Sequence, residues 1–310
     1  MIKKHSRLGQ WLNKQREKLS PQHIFWGVLL LVGLTAGAVW LFTRPKPDPL
    51  DQITLSEIED RGALGVGVFA DVPLFATRTI DPYDKQSWSG LEVDIAHELA
   101  ALIFDNPDAV EFTPVEFTLR NFMLNQERVD CLIALSPQGY SDSFIYSDPY
   151  YTDAVAVIVL LDGATTIEQL YGGATNGKLG ARIGALTRQP QSRSTANPLV
   201  HQGALTVLQR YNENNSADFR ILTYSDAHEM FEDLRNGSLD AIAMETAFLP
   251  RYFGDDLRLL TKHIGTIPYS VVAMPNQSSL IELVNIAIRT MKDRGVMAEL
   301  LQTYGLKDYG

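Results

Sequence analysis

The chain of 310 residues is long enough for one large or two ordinary domains, and 45% hydrophobic with 21% charged residues is a globular composition. Its net charge of −10 is unevenly spread: eight lysines and arginines against two acids give the first fifty residues +6, which leaves −16 on the rest. So acidic a body lacks the basic face that nucleic acid requires, and the single cysteine, Cys131, excludes a disulfide within the chain and reads, inside the apolar run 129–134, as a small buried hydrophobe.

The apolar run 24–42 (Ile-Phe-Trp-Gly-Val-Leu-Leu-Leu-Val-Gly-Leu-Thr-Ala-Gly-Ala-Val-Trp-Leu-Phe) is uncharged. At 1.5 Å per residue it spans about 30 Å, a hydrocarbon core's thickness. Trp26 and Trp40 stand near its ends, where indoles favour the interface, and six basic residues but one acid precede it within 1–20. The pattern predicts a basic cytoplasmic tail over 1–23, a single-pass signal anchor over 24–43 in the inner (cytoplasmic) membrane, and a body in the periplasm or outside the cell. A cleaved signal peptide is the alternative, since Ala36-Gly37-Ala38 has the small residues of a cleavage site; both readings export the body. No cysteine stands near the run to carry a lipid. Residues 44–54, with prolines at 45, 47 and 49, read as a stiff linker.

The body begins near Leu55 with a helix start at 55–58. A buried strand follows over 62–69, a helix over 91–104, an alternating strand over 110–115, a helix over 119–124 and a second buried strand over 129–135. Parts of this pattern return. Gly62-Ala63-Leu64-Gly65 is echoed by Gly177-Lys178-Leu179-Gly180, 115 residues on. The helix-turn-strand unit 124–134 is echoed by 234–244, with Asp130 matched by Asp240 at an offset of 110. Strands alternating with helices imply mainly parallel sheets, and two such halves put the carboxyl ends of their strands around one cleft.

The order of segments resembles a known family. The stretch 61–68, then Gly90-Leu91-Glu92-Val93-Asp94-Ile95-Ala96, then 129–134, then Tyr146-Ser147-Asp148-Pro149-Tyr150-Tyr151, is similar to the amino-acid-type (family 3) periplasmic solute-binding proteins. The last is the most specific, since it resembles the family's Phe-Ser-x-Pro-Tyr. In the second half, 239–245 resembles Val-Asp-Ala-x-x-x-Asp, and 268–273 with 280–304 resemble the return strand and closing helices. The resemblance covers about 55–306. It implies an α/β fold, a two-lobed periplasmic-binding-protein clamp (type II), with crossings near 151–157 and 261–269. Lobe one would be 55–154 plus 266–310, and lobe two 155–265. It also implies hinge closure on a small polar ligand and an ABC transporter permease as partner.

By the same resemblance Glu245 matches the acid that holds a ligand's ammonium group, Phe117 a stacking aromatic, Phe75 a Pro-Phe pair, and Ser136 a hydroxyl donor. Tyr140 falls where the family's carboxylate-binding arginine stands, in a loop 135–143 that has no basic residue. Phe69 stands where an acid or amide is common, and Thr187 closes a shifted Gly-Thr-Thr turn. A carboxylate could instead meet Arg182, Arg188 or N–H groups near Thr187. With the arginine missing, acidic ligands are expected to bind poorly, and cationic or neutral ones better.

Six scattered histidines lack metal-ligand spacing, and no phosphate loop or Cys-x-x-Cys occurs. Neither a metal, a cofactor nor a catalytic residue is expected. The competing readings are a clamp-fold dehydratase using Glu245 or Glu92 as general acid, and a sensor or assembly factor without cargo.

Overall fold

The computed structural model describes residues 49–83, 86–172, 179–187, 203–260 and 263–310. The expected tail and anchor, 1–43, lie outside them, as do Arg188 and residues 177–178 of the echoed motif. Among the described residues no helix is long and apolar enough to cross a membrane. Helix α1 (Pro49–Arg61) starts ahead of the expected Leu55. Pro49 lacks the N–H that a first turn leaves unbonded and has the φ a helix needs, so the last proline of the expected linker opens a helix.

The first sheet has the order β5-β1-β6-β14-β7. Strands β1 (Leu64–Val68), β5 (Val110–Pro114) and β6 (Cys131–Leu132) are parallel, while β14 (Val272–Ala273) runs antiparallel to β6 and to β7 (Ile145–Tyr146). Helix α2 (Leu91–Phe104) buries Leu91, Val93, Ile95, Ala96, Leu99 and Ala100. Its spacing is that of one helical stripe. It begins at Gly90, whose φ of 132° suits glycine alone; a Cβ there would lie 2.2 Å from the Phe75 carbonyl oxygen. A small antiparallel sheet, β2 (Asp71–Val72), β3 (Ala76–Ile80) and β4 (Gln86–Ser89), fills the stretch between β1 and α2.

The second sheet has the order β10-β9-β11-β8-β12, with β13 also on β8. Strands β9 (Arg182–Leu186), β10 (Arg220–Tyr224) and β11 (Ala241–Glu245) are parallel; β8 (Tyr151–Leu160) is antiparallel to β11, to β12 (Leu257–Leu259) and to β13 (Gly265–Tyr269). Helix α4 (Ala204–Asn215) packs on β9, β11 and β13, and α5 (Ala227–Arg235) on β9, β10 and β11; α3 (Arg120–Asn125), α6 (Ser278–Asp293) and α7 (Val296–Thr303) belong with the first sheet or its helices. Both sheets are mixed, as the strands that enter and leave the second one run against its parallel core.

The echoed aspartates do the same work in each half. Asp130 accepts from the Gly65 N–H at 2.6 Å, its own N–H donates to the Gly65 carbonyl, and its carboxylate meets Arg61. Asp240 accepts from the Arg182 N–H at 2.7 Å, donates back to the Arg182 carbonyl, and takes the Arg182 side chain at 2.9 Å. Each locks the start of the central parallel strand of its sheet. Burial pushes the Asp130 carboxyl up despite these partners, whereas the hydrogen bond from Arg182 holds the more exposed Asp240 down.

The chain passes between the sheets along β8 and returns along β13, and these strands pair from Tyr151↔Tyr269 to Gly265↔Val155. The Tyr-Ser-Asp-Pro-Tyr-Tyr element fastens this ribbon to the first sheet. The Ser147 hydroxyl accepts from the Val271 N–H at 2.9 Å, the Tyr150 hydroxyl donates to Glu92 at 2.5 Å, and Tyr151 stacks on Tyr269.

Candidate functional site

A cavity of about 150 Å³ lies where the carboxyl ends of the strands of both sheets converge. Phe117, Arg120, Leu135 and Pro137 line it from the first sheet, and Leu186, Gly203, Leu205, Met244, Glu245, Phe248, Arg251 and Tyr252 from the second; Tyr269 of β13 completes it. Pockets for drug-sized ligands run to about 300–1,000 Å³, so this one suits a smaller molecule.

Its principal cation is Arg120, at the first position of α3 and 1% exposed. Nη1 donates to the Ala134 carbonyl at 2.7 Å, and the guanidinium lies 4.6 Å from the Phe117 ring and 4.9 Å from the Tyr140 ring. Two π faces and a carbonyl fix the plane of the fork. The Tyr140 hydroxyl in turn donates to Asn121 Oδ1 at 2.6 Å, one residue along α3. Leu135, whose φ is 41°, is held in its turn by its N–H donating to Glu92 at 2.6 Å. Non-glycine residues seldom adopt this backbone conformation, which is found where the surroundings enforce it.

The anion is Glu245, the last residue of β11 and 5% exposed. Its Oε1 accepts from the Ala204 N–H at 3.1 Å, at the start of α4, where the partial positive charge of a helix N-terminus favours a carboxylate. A Cβ at Gly203 would lie 2.9 Å from this oxygen, so glycine lets the helix approach the acid. Behind Glu245, Asp153 of β8 is fully buried and accepts from the Ala154 N–H, the Thr246 hydroxyl and the Ala247 N–H. Burial pushes its carboxyl up to about 6, the nearby Glu245 charge adds to the rise, and the three donors oppose it.

Of the residues singled out from sequence, Phe117 and Glu245 line this cavity. The others stand elsewhere. Tyr140 lies behind Arg120. Phe75 is buried against Tyr151 and Phe248 at 5.7 and 5.9 Å, packing the first sheet on the connecting ribbon and the turn after β11. Ser136 is buried, with its hydroxyl 3.4 Å from the Ala134 carbonyl. Phe69 lines a separate groove beside β2 with Val72 and Arg78. Two expected carboxylate partners are corrected. The Thr187 N–H donates to the Tyr224 carbonyl at 2.7 Å and extends the β9–β10 pairing, and Arg182 sits at the opposite end of β9, bound to Asp240 and the Gly237 carbonyl. Glu92 accepts from Leu135 and Tyr150 and is not among the cavity's lining, which removes it as a cleft acid.

The expectation of a cleft without arginine is also corrected. The loop 135–143 has no basic residue, but a guanidinium reaches the cavity from α3. The sequence signal was Phe-Thr-Leu-Arg at 117–120, a stacking aromatic followed, across one turn, by an arginine at the start of α3. Among the described residues no cluster of three or more His, Cys, Asp or Glu could hold a metal ion.

The profile of bacterial extracellular solute-binding proteins, family 3, matches residues 66–307. The glutamine-binding protein of a Bacillus subtilis ABC transporter is 21% identical over 259 residues, covering 82% of this chain and 85% of that one. A glutamine-binding protein of Geobacillus stearothermophilus is 25% identical over 223 residues, 70% of this chain and 75% of its own. Among solved structures, an amino-acid ABC transporter substrate-binding protein of Streptococcus pneumoniae bound to L-arginine superposes with a TM-score of 0.56 at 19% identity, covering 80% of this chain and 97% of that one. An ancestral amino-acid-binding protein, a precursor of cyclohexadienyl dehydratase, gives 0.57 at 20% identity, with 81% and 98% covered. These likenesses show the periplasmic-binding-protein fold.

Proposed function

The chain belongs to the family 3 bacterial extracellular solute-binding proteins, and on that basis we propose that it is a membrane-tethered, extracytoplasmic protein that captures a small polar solute, an amino acid or a related compound, and delivers it to an ABC importer by hinge closure. The observation that carries the reading is the cavity itself. It is lined by a buried guanidinium from the first sheet and a buried carboxylate from the second, so a ligand with charge at both ends is gripped only when the two halves are together. The paired strands β8 and β13 serve as the hinge, between a lobe of 55–154 plus 266–310 and a lobe of 155–265. The similarity to ABC transporter binding proteins supports the permease partner. The run 24–42 and the basic residues before it support a tether in the inner membrane with the body outside.

Binding without turnover is the reading supported here: Glu92, bonded to Tyr150 and Leu135, is not among the cavity's lining, and the relatives are solute-binding proteins. Turnover of a prephenate-like acid by the purified chain would overturn this. A thermal-shift screen of amino acids, polyamines, sugars and organic acids tests the binding reading; a ligand at 100 times its Kd adds about 2.7 kcal/mol of stability, and a screen with no shift would refute it. The tether is tested by carbonate washing of membranes, which should leave the chain in the pellet. A soluble product beginning near Val39 would instead establish a cleaved signal.

A further inference from the structure

Three of the described cavity-lining residues are charged: Arg120 and Arg251 are cations and Glu245 is an anion. Arg120 is oriented by the Phe117 and Tyr140 rings, which sandwich the chain's own guanidinium. Arg251, itself exposed, ends the otherwise largely buried 3₁₀ turn that follows β11, on the opposite wall. Glu245 is steadied by the Ala204 N–H at 3.1 Å. The remaining nearby acid, Asp153, stands behind Glu245 and is absorbed by three donors of its own backbone and turn. The cavity therefore has two guanidinium forks and one carboxylate. Each fork takes a carboxylate in two parallel hydrogen bonds, and the single carboxylate takes one ammonium group.

We propose that the ligand is an acidic amino acid, whose two carboxylates and one ammonium group answer Arg120, Arg251 and Glu245 one for one. The proposal rests on the reading of this cavity as a solute site. It makes Arg120 and Arg251 specificity-determining residues and sets this chain apart from relatives described as binding glutamine or L-arginine. A cationic side chain would meet Arg120 as a like charge on the ring faces where it would otherwise stack.

Calorimetry on the full chain in mild detergent, with L-glutamate, L-aspartate, L-glutamine and L-arginine, tests it. An acidic amino acid should bind at least about tenfold more tightly than glutamine, equivalent to about 1.4 kcal/mol, and arginine should bind most weakly. Arg251→Gln, at an exposed position, should lower acidic affinity about tenfold and lower it more than glutamine affinity, so that the preference over glutamine shrinks. Arg120→Lys, which keeps the charge and loses the fork, should weaken all amino acids. Tighter binding of glutamine or arginine by the unaltered chain overturns the charge assignment and leaves the solute site standing. Binding of none of the four overturns both. An acidic preference that survives Arg251→Gln and Arg120→Lys unchanged overturns the assignment to these two residues.

Discussion

Asp153 stands on the strand that crosses between the two sheets, directly behind the cavity's own carboxylate, and two opposed effects act on it. Burial and the Glu245 charge disfavour its ionised form, while the Ala154 and Ala247 N–H groups and the Thr246 hydroxyl favour it. The outcome is a folded-state pKa of about 6 against 3.8 for an unperturbed aspartate. With the folded state binding the extra proton between those values, stability contributed at this site falls as pH rises from about 4 through 6, then levels off. At 1.36 kcal/mol per unit the full loss is about 3 kcal/mol. Asp153→Asn removes the titration and also costs one acceptor, a penalty that does not change with pH. Urea unfolding of both proteins at pH 4, 5, 6 and 7 therefore isolates the effect. The stability of the variant relative to the parent should rise by about 2.4 kcal/mol from pH 4 to pH 7, the remainder of the change lying below pH 4. A difference that is flat with pH, or that runs the other way, would show that the three hydrogen bonds outweigh burial, and the argument would be wrong.

The echoed aspartates give a paired test. Asp130→Asn should improve relative to the parent as pH rises through the carboxylate range, since burial lifts Asp130, whereas Asp240→Asn should lose ground over the same range, since Arg182 lowers Asp240; parallel pH slopes in urea melts would refute the contrast. Gly90→Ala places a Cβ 2.2 Å from a backbone oxygen at φ 132° and should cost more than about 1 kcal/mol in the same melts. Gly203→Ala meets only the end of the Glu245 side chain, so it should leave stability within about 1 kcal/mol and weaken ligand binding. Glu92→Ala strands the Leu135 N–H and the Tyr150 hydroxyl in the core and should cost about 3 kcal/mol or more.

The body's elements were legible because their periodicity is strong. Helix α2 follows one apolar stripe, and the second occurrence of the helix-turn-strand unit does place Asp240 on Arg182 as Asp130 sits on Gly65. Other features left little trace. Strand β6 pairs over only Cys131–Leu132, although the apolar run around it reads as a seven-residue strand, because the chain turns at Leu135 into a left-handed conformation imposed by Glu92. The hairpin sheet β2–β4 contains short, mostly exposed strands with no clear alternation of burial, and Pro73 and Gly90 follow directly after β2 and β4. Helix α1 is weakly amphipathic, so nothing but Pro49 marked its start.

The lining of the cavity was half legible, and Tyr140 shows why. Alignment by counting from Tyr146 asks which residue occupies the arginine's place in the loop, and the answer is a tyrosine. Space asks which cation reaches the cavity, and the answer is Arg120, twenty residues earlier in the chain, with Tyr140 as one of its two ring supports. A guanidinium can arrive from either segment because α3 and the loop meet beside Ala134, whose carbonyl Arg120 engages. If Tyr140 acts through Arg120, its ring matters to the ligand and its hydroxyl does not. Tyr140→Phe keeps the ring and gives up the bond to Asn121, so it should cost about 1 kcal/mol of stability and leave ligand affinity unchanged. Tyr140→Leu fills much of the volume without a π face. It should weaken binding of an acidic amino acid about fivefold, since a ring–guanidinium contact is worth about 0.5–1 kcal/mol or more once desolvated. Calorimetry on both variants decides it. Equal affinity in the two, or loss of binding in Tyr140→Phe, would show that Tyr140 does not serve the ligand by orienting Arg120.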